Sequence, residues 1–68
     1  MKKRVQGRIY FEEGFDEELV DNICEDIPGT DFWYGQGYAR YKGTGEGFEE
    51  FKRMLTQNGV KIKRVWIY

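Results

Sequence analysis

The sequence predicts an α+β sandwich: a four-stranded antiparallel sheet with two helices on one face, its elements in the order β-α-β-β-α-β. Three observations carry this. Apolar and polar residues alternate over residues 4–11, as in a half-buried strand. Two later stretches, 15–27 and 48–55, repeat apolar residues at helical spacing. Between and after them, residues 31–42 and 60–68 are rich in aromatic and β-branched side chains. With both crossovers right-handed, the first and third strands become central neighbours and both helices cover the same side. A chain of 68 residues makes a single domain, 1–68, near the lower limit for folding alone.

In the first strand Val5, Ile9 and Phe11 point to one face, with Gly7 in phase. Arg4, Gln6, Arg8 and Tyr10 point to the other. The first helix is read over 16–27, with Phe15, Leu19, Val20, Ile23, Cys24 and Ile27 on its apolar face. Asp16 is placed to cap it, Phe15 to staple onto Val20, and Glu17 and Glu18 sit at its positive end. Pro28-Gly29 stops it.

Residues 31–42 read as strand Phe32-Trp33-Tyr34, glycine turn Gly35-Gln36-Gly37 and strand Tyr38-Ala39-Arg40-Tyr41-Lys42. That pattern fits a hairpin or one bent strand. Gly43-Thr44-Gly45-Glu46-Gly47 reads as a flexible connection. The second helix follows over about 46–57, facing Phe48, Phe51 and Leu55 inward and ending at Asn58-Gly59. The last strand, 60–68, is out of phase with itself: Val60 and Ile62 share one face, Val65 and Ile67 the other. A bulge near Lys63-Arg64 reconciles them.

Charge is sorted along the chain. All twelve acidic residues lie between Glu12 and Glu50, eight of them within 12–26, whereas nine of eleven basic residues lie in 2–8, 40–42 and 61–64. A net charge of −1 therefore hides two oppositely charged surfaces. The chain has no His and no Ser, and Cys24 belongs to an apolar helix face with no base to activate it. The acidic cluster lacks the alternating pattern of a calcium loop, and the glycine stretch lacks the Lys of a P-loop. No catalytic residue, metal site or cofactor is expected, and the chain is read as a binding protein rather than an enzyme. One cysteine allows no internal disulfide, and no apolar run approaches a membrane span, so a cytoplasmic protein without membrane contact is expected.

The open sheet face collects Arg4, Arg8 and Tyr10 from the first strand and Tyr38, Arg40 and Lys42 from the third. Trp66 and Tyr68 join from the fourth if the bulge is placed as above. Aromatic faces beside cations suit unpaired bases and their phosphates. Here the chain resembles the RNA-recognition-motif family, a ferredoxin-like βαββαβ fold. Ile9-Tyr10-Phe11 is similar to the core of that family's first-strand motif, and Gly37-Tyr38-Ala39 to the centre of its third-strand motif. The resemblance spans nearly the whole chain and implies that Tyr10 and Tyr38 stack bases of single-stranded RNA or DNA. Arg40 stands where that family carries a second aromatic.

The acidic first helix and its approach, with Glu13, Glu17, Glu18, Asp21 and Glu25, read as a docking surface for a basic protein partner, one that imitates nucleic-acid phosphates. In size and charge the chain is similar to small phage-encoded inhibitors of host factors, anti-CRISPR proteins among them. The leading expectation is such an inhibitor or adaptor; the alternative is a single-stranded nucleic-acid binding module. A third use of the exposed aromatics Trp33, Trp66 and Tyr68 is a homodimer.

Overall fold

The computed structural model describes residues 3–68; Met1 and Lys2, the latter part of the N-terminal basic stretch, lie outside the described residues. The chain runs β1 (Arg4–Phe11), α1 (Glu17–Asp26), β2 (Thr30–Phe32), β3 (Tyr38–Thr44), α2 (Gly45–Gln57) and β4 (Ile62–Ile67). The strands form one antiparallel sheet in the order β2-β3-β1-β4. This is the ferredoxin-like arrangement the sequence predicts, with β1 and β3 at the centre.

The core lies between one sheet face and the helices. Ile9, Phe11, Ala39 and Tyr41 project from β1 and β3 onto Val20 and Ile23 of α1 and Phe48, Phe51 and Leu55 of α2. The alternation that predicted β1 is its burial pattern: Gly7, Ile9 and Phe11 are buried, and their neighbours are not. In α1, Asp16 caps the helix by accepting the Leu19 N–H at 3.1 Å. The Phe15 ring packs 4.7 Å from Phe11 and 6.0 Å from Phe32. Cys24 is half-buried beside this core. No helix among the described residues is long and apolar enough to cross a membrane.

Residues 31–42 form a hairpin, with β2 starting and ending two residues earlier than the strand the sequence suggests, which leaves Trp33 and Tyr34 in the turn. Gly35 and Gly37 adopt φ of 88° and 79°, a conformation that turns the chain where strand propensity alone would extend it. The glycine-rich stretch 43–47 is no flexible connection. β3 continues through Thr44, and α2 begins at the next residue. Thr44 ends the strand and caps the helix, its hydroxyl accepting the Gly47 N–H at 3.0 Å. The bulge falls where the phase change demands it. Tyr10 faces Arg64 and Phe11 faces Ile62, which leaves Lys63 as the extra residue of β4. Val60, expected at the start of this strand, precedes it and is buried in the core.

Candidate nucleic-acid interface on the open sheet face

The strand registers fix which side chains meet. Tyr10 faces Tyr38, Arg8 faces Arg40, and Gln6 faces Lys42 between the two central strands. On the other flank Arg8 faces Trp66 and Tyr10 faces Arg64. Since cross-strand partners share a face, these residues project together from the side without helices. Arg4, Arg8, Tyr10, Tyr38, Arg40, Lys42 and Trp66 are thus brought onto one surface, as the alternation predicts.

Their geometry is an interleaved ladder of rings and cations. The Tyr10 and Tyr38 rings lie 5.3 Å apart at 35°. The Arg8 guanidinium sits 5.2 Å over Tyr38 and 5.7 Å over Tyr68. Arg64 sits 4.8 Å over Tyr10 and 5.6 Å over Trp66, and Arg40 lies 5.2 Å over Trp33. Arg8 Nε donates to the Tyr68 hydroxyl at 2.5 Å, and its Nη1 makes a longer contact, 3.4 Å, with the Tyr10 hydroxyl. That neighbouring guanidinium holds the Tyr10 phenol below its ordinary pKa.

Arg64 joins a ladder to which the sequence reading assigned Trp66 and Tyr68 from the fourth strand. Arg64 was legible only through the bulge: once Lys63 is the extra residue, Arg64 shares the face of Trp66. Trp33 reaches the ladder from the turn, an approach that strand periodicity does not describe.

Placing Arg8 opposite Arg40 sets like charges in register, an arrangement that costs sheet stability. Among the described residues, the ion pairs lie elsewhere, Glu49 with Lys52 and Glu50 with Arg53 on α2. Arg8, Arg40 and Arg64 lie instead over rings. Asp31, opposite Arg40, is the acidic residue that β2 adds to this side. A shallow hollow of about 550 Å³ lies at the end of the face between Lys3, Arg4, Gln6, Lys42 and Tyr68, and another of about 210 Å³ between Arg8, Tyr10, Trp66 and Tyr68.

The acidic residues occupy α1 and the segment before it. Glu13, Glu18 and Glu25 are exposed, while Glu17 and Asp21 are half-buried. Glu17 has a structural partner: its Oε2 accepts the Gly35 N–H at 2.5 Å and ties α1 to the β2–β3 turn. Tyr34, in that turn, has its pKa raised by burial and then by the carboxylates of Asp21, Glu18, Glu17 and Asp16. The hydroxyls of the three threonines are engaged with the backbone: Thr30 donates to the Cys24 and Ile27 carbonyls, Thr44 caps α2, and Thr56 donates back to the Lys52 and Arg53 carbonyls.

In comparisons with known proteins, the chain matches no protein-family model, no curated protein and no solved structure.

Proposed function

We propose that the open sheet face binds single-stranded nucleic acid. The observation that carries this reading is the ladder of Trp66, Arg64, Tyr10, Tyr38, Arg8 and Tyr68 across three strands, its rings and guanidiniums alternating on an exposed surface. Flat rings take bases and cations take phosphates. In the free protein the guanidiniums cover the rings. Moving one from its ring to a phosphate gives up an exposed cation–π contact of about 0.5–1 kcal/mol. A stacked base returns about 1–3 kcal/mol, and the phosphate contact adds its own share, so the exchange is favourable.

The test is fluorescence anisotropy with labelled single-stranded oligonucleotides. Binding is expected at low salt and weakens with a log–log slope of about −0.7 per phosphate contacted. Tyr10→Ala and Tyr38→Ala are each expected to weaken it by about 1–3 kcal/mol. Absence of binding to any single strand at low salt would sink the reading.

One observation favours a second reading, a protein-binding inhibitor of the phage type. Glu13, Glu18 and Glu25 are exposed on or beside α1, away from the basic face, and offer a phosphate-like surface to a basic host protein. A pulldown from a host lysate with and without nuclease separates the two. A partner retained after nuclease and lost on reversing Glu13, Glu18 and Glu25 supports the inhibitor. Glu17 is left intact in that variant because it tethers Gly35.

A further inference from the structure

Four consecutive side chains, Val65, Trp66, Ile67 and Tyr68, are exposed by 37%, 50%, 57% and 62%. A run of this kind on a folded surface signals an interface. It lies along β4, at one edge of the sheet. The other edge, β2, is three residues long, the blunted form that resists pairing. β4 is six residues long, and its helix-side face is poorly covered: Val65 pairs with Ile9, yet Ile9 is 0% exposed.

The backbone fixes what this edge offers. The Tyr68 N–H donates to the Gln6 carbonyl at 3.0 Å, and Trp66 faces Arg8 one step along the same ladder. Antiparallel alternation then directs the N–H and C=O groups of Tyr68 and Trp66 toward β1. Those of Val65 and Ile67 point to the open edge.

We propose that β4 pairs with β4 of a second copy, antiparallel about a twofold axis at Trp66. In that register Val65 of each copy faces Ile67 of the other. Both are residues whose polar groups point outward, so each such pair exchanges both of its N–H···O bonds. On the helix side these pairs bury apolar side chains against each other. On the open side Trp66 meets Trp66, and Arg64 faces Tyr68, a cation over a ring as already occurs between Arg8 and Tyr68 within one chain. The bulge selects this register. Moving the axis to Val65 would set Ile67 against Lys63, the bulged residue, and lose the regular ladder. The pairing joins two open faces into one continuous surface, but it stands independently of any nucleic acid.

Sedimentation of the full chain from micromolar to about millimolar concentration tests this, a range suited to an interface at the small end of stable ones. A monomer–dimer equilibrium without larger species is expected, with the Val65 and Ile67 amides exchanging more slowly as the dimer fills. Val65→Glu and Ile67→Lys should each raise the dissociation constant about tenfold or more. Mixing the two variants should restore dimer, because the introduced carboxylate meets the introduced ammonium while the other Val65–Ile67 pair stays native. A chain that remains monomeric throughout overturns the proposal. So does a dimer that survives both variants, a mixture that fails to pair, or dimerisation that leaves the two amides unprotected. Should either variant lose its circular-dichroism signature, amide exchange in the unaltered chain decides.

Discussion

Tyr41 accounts for two glycines that the sequence leaves unexplained. It is 5% exposed, packed on Phe48 and Phe51, and its hydroxyl donates to the Thr44 carbonyl at 2.9 Å. A Cβ at Gly43 would come 2.5 Å from that hydroxyl, and one at Gly47 would come closer still. In an ordinary helix Gly→Ala gains about 0.5–1 kcal/mol. Here Gly47→Ala is expected to destabilise by about 1–3 kcal/mol, the usual cost of overpacking. Adding Tyr41→Phe should recover part of that loss, less the hydrogen bond to Thr44, and urea denaturation of the four chains of the cycle measures it. Cys24 makes a second residue-scale prediction. Burial raises its thiol pKa from 9.0 to about 11, with the Thr30 hydroxyl partly opposing the shift. Native protein should therefore resist alkylation at neutral pH, while denatured protein reacts fully. The sign of the pH effect follows. The folded state holds the proton more tightly, so this contribution to stability is complete below pH 9.0 and is lost as pH rises toward about 11. Thermal unfolding across that range should show a decline that Cys24→Ala lessens.

At the scale of elements, what the sequence revealed depended on whether local signals agreed. α1 was legible because its cap Asp16, its acidic first turn and its apolar stripe all point to one boundary. The β4 bulge was legible because a strand cannot bury Ile62 and carry Trp66 with the open-face residues without an extra residue between them. The Trp33-Tyr34 pair misled because aromatic enrichment indicates a strand, whereas the positive φ of Gly35 and Gly37 and the tether from Glu17 enforce a turn. The direct passage from β3 into α2 was hidden for the same kind of reason. Glycine-rich composition reads as flexibility, and the constraint that removes it, a buried Tyr41 hydroxyl among those glycines, exists only once β3 and α2 pack. That junction rests on Thr44, which ends one element and caps the next. Thr44→Ala is expected to cost about 0.5–2 kcal/mol by loss of the cap, read as a lower denaturation midpoint with an unchanged slope. The open face shows the same division: Arg4, Arg8, Tyr10, Tyr38, Arg40 and Lys42 follow from alternation alone, while the contacts of Arg64 and Trp33 depend on the bulge and the turn.

At the scale of the molecule, the sorting of charge along the chain becomes a sorting across a sandwich. Arg4, Arg8, Arg40, Lys42 and Arg64 project from the open sheet face, and Glu18 and Glu25 project from a helix on the other side. The two shorter extents of the fold are 21 and 19 Å. At physiological ionic strength charges are screened over about 8 Å, so the acidic helix scarcely alters the field at the sheet face. At about 0.01 M salt the screening length grows to about 30 Å, longer than the fold is thick, and each face then feels the other. This sets a prediction that separates long-range repulsion from direct contact. Reversing Glu18 and Glu25 to Lys should strengthen oligonucleotide binding in dilute buffer and change it little at physiological salt, with circular dichroism unchanged because both side chains are exposed. The measurement is the anisotropy titration repeated over a salt series for both proteins. Curves that converge as salt rises place the bound strand on the sheet face. A gain that persists at high salt means that the introduced lysines touch phosphate, and the strand would then run along α1.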